Sequence, residues 1–294
     1  MANSTQRVTV FGPASYNQMV LLDHLPEPVP HMQFAQDHWY AIGGTSAGKA
    51  LHLPSLGVDT ELHTLTALDA DGQHVIEALR AAQVSVTAYE ADATERHLNL
   101  MTPAGERVSL YLTAPEPASV PQQSALLAAL AGSGHAVIDL TETGRALVTR
   151  MRAEPQRPTV WVDLHDYDGA SDFHEPFVRG ADIVFMNGDA VTDPEALIRS
   201  CVERGPSIAV CTLGAQGAIG IDASGTMVRV PAEPIDHIVD TNGAGDAFMA
   251  GFLAAHIGGA TVRDGLHAGA RQALVALQTK HLHPALESRD PRPT

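Results

Sequence analysis

The sequence has little cysteine and no long apolar run. Its two cysteines, Cys201 and Cys211, have neither the spacing of a metal site nor the number of a disulfide framework. No stretch of 18 residues is continuously apolar, and residues 1–7 show no charged and apolar leader. These absences predict a cytoplasmic protein that does not cross a membrane.

Basic residues are also scarce. Lysine and arginine together number 18 against 34 acidic residues, which gives a formal net charge of −16. Nucleic acids and anionic membranes both require a basic face, so neither is expected as a partner. An anionic ligand would have to be bound by backbone amides, a metal ion or a few arginines.

The chain is long enough for one large α/β domain, and residues 1–294 are assigned to a single such domain. Short apolar runs alternate with segments of helical spacing, which favours a mainly parallel sheet covered by helices. Residues 96–112 have the pattern of a β-hairpin.

The most informative stretch is residues 240–248, with the sequence DTNGAGDAF. An apolar helical segment follows it, so its glycines lie where a loop enters a helix. The free N–H groups and the positive end of the helix dipole favour an anion there. Asp246 falls within the first helical turn, where a carboxylate would suit proton removal from a hydroxyl attacking a bound phosphate.

Residues 240–248 resemble the C-terminal signature of the ribokinase-like (PfkB) carbohydrate kinases. The resemblance implies an α/β fold: a ribokinase-like three-layer α/β/α sandwich with a mainly parallel central sheet and a small β-sheet lid. The lid strands would be inserted at about residues 14–42 and 94–113. Asp246 would be the catalytic base, and the amides of Gly243, Ala244 and Gly245 would form the anion hole.

The resemblance also implies which residues bind the acceptor, the molecule whose hydroxyl is phosphorylated. Gly43 and Gly44 match the glycine pair whose amides lie against substrate hydroxyls, and Asn17 takes a position that is usually Asp. Gly48 stands where the family usually has Asn. Asn17 follows a strand end and could equally be a turn residue. These departures leave the acceptor open, and the implied acidic contact could fall on Asp139 or Glu142.

Residues 43–50, GGTSAGKA, also come within one residue of a P-loop. Ala50 lacks the hydroxyl that a P-loop offers to Mg²⁺, which argues against that motif. Lys49, one of only two lysines, is therefore predicted to be a solvated helix residue.

The resemblance also implies which residues contact the nucleotide and its metal ion. Asn187 matches the family's Asn-x-x-Glu motif, but Ala190 occupies the Glu position, which leaves the neighbouring Asp189 as a candidate Mg²⁺ contact. Asp240 and the backbone of Asn242 could line a K⁺ site. The residues expected to contact the nucleotide are Asn187, Thr212, Gly214 and Gly217.

The expected function is an ATP- and Mg²⁺-dependent kinase for a hydroxyl of a sugar or sugar-like molecule. A nucleoside kinase on the same scaffold is an alternative, as is a ligand-binding protein of kinase fold with weak catalysis. A homodimer formed through the lid is consistent with the resemblance.

Overall fold

The computed structural model describes residues 6–189 and 191–287. Its strands follow the apolar runs of the sequence. They are β1 (Val8–Phe11), β2 (Ser15–Leu21), β3 (Asp37–Gly43), β4 (Thr60–Thr66), β5 (Ser85–Glu90), β6 (Arg96–Met101), β7 (Arg107–Thr113), β8 (His135–Ile138), β9 (Thr159–Asp163), β10 (Ile183–Asn187), β11 (Ile208–Thr212), β12 (Ala218–Asp222) and β13 (Met227–Val230).

Eight helices lie between or after these strands in the described ranges. They are α1 (Thr45–Ser55), α2 (Ala70–Ala81), α3 (Val120–Ala131), α4 (Glu142–Arg152), α5 (Glu175–Gly180), α6 (Pro194–Arg204), α7 (Ala244–Ile257) and α8 (Val262–Leu277). Within residues 6–189 and 191–287, none of them combines the length and the apolar character needed to cross a bilayer.

The central sheet has nine strands in the order β13-β12-β11-β10-β9-β8-β1-β4-β5. The seven strands from β11 to β5 pair in parallel, and β12 and β13 add an antiparallel edge. The strand order reverses between β8, β1 and β4. In open α/β sheets, ligands bind beyond the carboxyl ends of the strands at such a point.

Side chains on the two faces of this sheet form two separate cores. On β9, Trp161 belongs to the core beneath α1, α7 and α8, while Val160 and Val162 belong to the core beneath α3 to α6. This alternation follows from the two-residue period of a strand. The three-layer α/β/α architecture with a mainly parallel sheet is therefore confirmed.

A second sheet of four strands, in the order β3-β2-β6-β7, forms the lid. β2 pairs with β3 in antiparallel register, from Ser15 opposite Gly43 to Leu21 opposite Asp37. Asn17 therefore lies within a lid strand, as the predicted lid segment 14–42 implies, and the alternative that it is a turn residue is wrong. Only residues 12–14 separate β1 from β2.

Candidate functional site

The candidate site lies beyond the carboxyl ends of β1, β8 and β9, between α1 and α7. Asp246 is on the first turn of α7 and is only 7% exposed. It borders a cavity of about 130 Å³, which we call the acceptor cavity, roofed by the lid. Its lining residues are Pro13, Asn17, Gly44, Thr45, Glu95, His97, Asn99, Arg107, Ser109, Tyr111, Asn242, Asp246 and Leu282.

Lys49 is part of this site, and its prediction as a solvated residue is wrong. The side chain is buried on α1, and Nζ donates to Asp246 Oδ1 at 2.7 Å. Nζ also lies 3.4 Å from Asp163 Oδ2 and 3.7 Å from Asp139 Oδ2. A buried ammonium group needs such partners, because an unpaired charge in the interior costs several kcal/mol.

The absence of a side chain at Gly48 has a steric reason in this arrangement. A Cβ atom built at this position would lie 2.7 Å from Asp246 Oδ2 and 2.9 Å from Asp246 Cβ. The asparagine usual in the resembled family would therefore clash with Asp246 in its present position. Gly48 and Lys49 together allow the aspartate to lie against α1.

The other carboxylates of the cluster come from strand ends. Asp139 follows β8 and accepts hydrogen bonds from Thr45, from Ser46 Oγ at 3.0 Å and from His165 Nε2 at 3.1 Å. Burial alone would raise the pKa of Asp139, but Lys49 and His165 hold it well below its ordinary value. Glu142, the other candidate for an acidic contact, is exposed and pairs with Arg145.

His165 completes the cluster from the loop after β9. Burial alone would lower its pKa, but Asp163 and Asp139 outweigh that effect and raise the pKa to about 9. The ring is therefore protonated at neutral pH. The cluster then holds two cations, Lys49 and His165, against three carboxylates.

Asp246 is the least stabilised anion of this group. Burial raises its pKa to about 6, although Lys49 opposes the shift, while the negative charges of Asp163 and Asp139 add to it. A carboxylate with a pKa close to working pH can both accept and release a proton, which is the property required of a general base.

The start of α7 leaves backbone donors free. Gly243 caps the helix with φ of 78°, a left-handed conformation that glycine adopts without strain. The Ala244 N–H reaches the Thr241 carbonyl at 3.3 Å, a long contact. Within the described residues, the N–H of Gly245 has no internal acceptor, and a Cβ atom built there would project into open space. These features fit an anion at the helix N-terminus.

The acceptor cavity brings together several of the predicted residues. Asn17 Oδ1 accepts from the His97 N–H at 3.2 Å, and its amide nitrogen packs so closely on Gly43 that a Cβ atom there would lie 2.0 Å away. Gly44 is the N-cap of α1, with φ of 94°. Glu95 is buried beside them and its Oε1 lies 2.9 Å from His97 Nε2. The cavity thus offers both donors and acceptors to hydroxyl groups.

The predicted nucleotide residues lie at the ends of β10 and β11. Asn187 is paired with Thr212 in the sheet, and its amide donates to Asp166 Oδ1. Asp189 is exposed and its N–H donates to Asn187 Oδ1 at 3.1 Å. Ala190 lies outside the described residues. Asp166 and Asp189 are both exposed at this end of the sheet, and Mg²⁺ usually keeps several waters and takes one or two carboxylates.

The two predicted glycines of this turn differ in their surroundings. Gly214 is exposed, and a Cβ atom there would meet nothing within 4 Å. Gly217 is buried, and a Cβ atom would lie 2.1 Å from the Val230 carbonyl oxygen. Close packing therefore accounts for Gly217, while Gly214 leaves room for a ligand.

Asp240 lies just before α7 and is 6% exposed. Its Oδ1 accepts from the Asn242 N–H at 2.9 Å, whereas its buried Oδ2 has no partner among the described residues. Burial accordingly raises the pKa of Asp240 above its ordinary value. A carboxylate oxygen in this state fits a monovalent cation bound at the position that the sequence predicts.

Sequence reasoning missed several residues of this site. They are Lys49, Asp163, His165, Glu95, His97, Arg107 and Tyr111. The sequence does show that Asp139 and Asp163 each stand at the end of a predicted strand. Carboxylates at the carboxyl ends of adjacent parallel strands must lie close together, so this pair could have been predicted.

Comparison with known proteins identifies the family. The model described as pfkB family carbohydrate kinase matches residues 5–289. An acarbose 7(IV)-phosphotransferase from Actinoplanes sp. is 32% identical over 272 residues, covering 90% of this chain and 89% of that protein. A nucleoside kinase from Methanothermobacter thermautotrophicus is 25% identical over 86% of this chain and 83% of its own length.

Solved structures agree in fold. A microbiome-derived acarbose kinase superposes with a TM-score of 0.80 at 28% identity, covering 94% of both chains. An Arabidopsis thaliana ribokinase solved with ribose and ATP gives 0.76 at 20% identity, covering 96% of this chain and 97% of its own. The family match over nearly the whole chain, together with these relatives, shows that the protein belongs to the pfkB family of carbohydrate kinases, ATP-using phosphotransferases that act on hydroxyl groups.

Proposed function

We propose that this protein transfers the γ-phosphoryl group of ATP to a hydroxyl of a sugar-like acceptor, with Asp246 as the general base. One observation carries the proposal: Asp246 borders the acceptor cavity and also lies beside the free amides at the start of α7. A proton acceptor and an anion site are thereby placed on opposite sides of one reacting oxygen.

In this proposal Lys49 holds Asp246 Oδ1, which leaves Oδ2 to take the proton of the acceptor hydroxyl. The alcohol oxygen forms a bond to the γ-phosphorus while the bond between that phosphorus and the β,γ-bridging oxygen breaks, and ADP leaves. The amides of Gly243, Ala244 and Gly245 stabilise the negative charge of the transferred group. Typical general-base contributions are about 10²- to 10⁴-fold in rate.

The nucleotide is assigned to the ends of β10 and β11, with Asn187, Thr212, Gly214 and Gly217 beside it. Mg²⁺, when bound, neutralises charge on the phosphates, and Asp189 and Asp166 are the carboxylates that could hold its waters. Asp240 and the backbone of Asn242 are assigned to K⁺.

The test is ADP release with Mg²⁺ and ATP across pentoses, hexoses, oligosaccharides and nucleosides. Acceptor-dependent turnover should appear in the wild type and fall at least a hundredfold in Asp246→Asn, with acceptor binding retained. A protein that binds acceptors but phosphorylates none of them would instead be a binding protein on a kinase scaffold. Turnover confined to nucleosides would establish the nucleoside alternative.

We also propose that two protomers pair through the lid. β7 is an edge strand of that sheet and is exposed along its whole length, with Val108, Leu110 and Leu112 at 40%, 45% and 52% exposure. An exposed apolar edge strand is suited to pairing with another chain. Light scattering on the wild type and on Leu110→Lys should give a dimer and a monomer; a monomer in both would refute the pairing.

A further inference from the structure

A second cavity, of about 330 Å³, adjoins the acceptor cavity, and we call it the side cavity. The two share Pro13, Glu95 and Tyr111 in their walls. The remaining lining residues are Phe11, Gly12, Leu65, Ala114, Pro115, Glu116, Pro117, Leu140, Thr141, Glu142, Thr143 and Phe173. An elongated molecule whose reacting hydroxyl lies at Asp246 would reach the side cavity past these three residues.

The walls of the side cavity are mainly apolar, and two aromatic rings stand in them. Tyr111 lies on the lid strand β7 at the junction of the cavities. Its ring packs against His97, with the two centroids 3.9 Å apart, and at 69% exposure the rest of the side chain remains accessible to a ligand. Phe173, partly buried on the loop before α5, lies in the wall with Leu140. Flat apolar surfaces of this kind suit the C–H faces of sugar-like rings, which bury area against aromatic side chains.

The polar side chains in the walls of the side cavity are three carboxylates and three hydroxyls: Glu95, Glu116, Glu142, Tyr111, Thr141 and Thr143. Glu142 is paired with Arg145, whose guanidinium also lies 5.7 Å from the Phe173 ring centroid. Glu95 lies at the junction, 7% exposed, with Oε1 on His97 and Oε2 without a partner among the described residues. Carboxylates without a cation in the walls themselves suit ligands rich in donors, such as hydroxyl or amine groups, more than they suit phosphates and acids.

We propose that the side cavity is a subsite for a second ring of an elongated acceptor: a hydroxyl-rich ring, neutral or amine-bearing, joined to the ring whose hydroxyl is phosphorylated. This inference rests on the proposed function and names the acceptor class, an oligosaccharide-like compound. A nucleobase fits the same walls less well, because its acceptor nitrogens would meet carboxylates instead of donors.

The experiment is calorimetric binding of glucose, maltotriose, acarbose and adenosine to the full chain, with acarbose chosen because two relatives are named for it. The wild type should bind maltotriose or acarbose at least tenfold more tightly than glucose. Phe173→Ala, which changes the side cavity alone, should weaken binding of the longer compounds about threefold to tenfold and leave glucose unchanged. Tyr111→Ala, which changes both cavities, should weaken the longer compounds more than glucose. Phe34→Ala, which removes an aromatic ring that is 90% exposed and lies outside both cavities, is the matched control.

Equal affinity for glucose and the longer compounds, no binding of the longer compounds at millimolar concentration, or tightest binding of adenosine would each overturn the subsite. So would a preference for longer compounds that survives both aromatic substitutions. The proposed function fails separately: Asp246→Asn should still bind the longer compounds while losing ADP release, and undiminished release would remove Asp246 as the base without affecting the subsite.

Discussion

Replacing Lys49 by methionine tests the charge cluster most directly. Methionine has a similar length and fills the buried space without the positive charge. The charges that then face Asp246 are Asp139 and Asp163, with His165 as the remaining cation held by both of them. Removing one member of a buried ion pair typically costs about 3–5 kcal/mol, and protonation of Asp246 would relieve part of that cost.

The size of the effect follows from the geometry. A cation within about 4–6 Å lowers a carboxyl pKa by about 1–3, and Lys49 Nζ lies at 2.7 Å. The substitution should therefore raise the pKa of Asp246 from about 6 in the wild type to roughly 8. At pH 7 the ionised fraction would fall from about 90% to about 10%, which predicts a loss of about tenfold in kcat/KM at that pH.

The assay is the pH dependence of kcat/KM between pH 5 and pH 9.5, measured by ADP release. The acid limb should lie near pH 6 in the wild type and near pH 8 in Lys49→Met, with activity recovering in alkaline buffer. Lys280→Met, which changes the other lysine on the surface beside Asp37, is the control and should leave the profile unchanged. A folded Lys49→Met protein with an unmoved acid limb would refute this account of Asp246.

Three further predictions follow from the same region. Gly48→Ala should lower kcat/KM by about 10- to 100-fold, because the added methyl group would displace Asp246. Gly132→Ala, where the atom nearest to the added methyl group would be 3.4 Å away, is the control and should leave kcat/KM unchanged. Equal activity of the two variants would contradict the steric account. Because His165 has a raised pKa of about 9, its stabilising charge is complete below pH 6.5 and lost towards pH 9. The stability advantage of the wild type over His165→Gln, measured by urea unfolding, should shrink across that range, and a constant difference would argue against it. Asp240→Asn should abolish any rise in Tm that KCl gives relative to choline chloride, and an unchanged rise would move the cation elsewhere.

The sequence was sufficient for the fold because its signals are local. Short apolar runs mark most of the parallel strands. α7 begins at Ala244, within residues 240–248, so the signature lies at a helix N-terminus. The hairpin predicted over residues 96–112 matches β6 and β7 of the lid.

The site was only partly predictable, because its electrostatics depend on distant residues. The sequence predicts a surface position for Lys49. Its partners Asp139, Asp163 and Asp246 come from three different parts of the chain, and only the fold brings them around it. The alternative of a turn at Asn17 arose because its strand is separated from β1 by only three residues. Glu95 immediately precedes β6 and Tyr111 lies on β7, and the sequence of neither segment shows the cavity that the two residues line.

Four chain connections join the lid to the rest of the fold, and two of them lie beside the reacting groups. Residues 12–14 join β1 to β2 and Gly44 alone separates β3 from α1, whereas residues 91–95 and 114–119 join β5 to β6 and β7 to α3. The edge of the lid farthest from β3 is β7. At that edge Arg107 donates one exposed hydrogen bond to Asn242, at 3.0 Å, which costs only about 1 kcal/mol to break. Because Lys49 and Asp246 lie on α1 and α7 and not on the lid, loss of this bond at the edge of the acceptor cavity would leave the base and its cation in place.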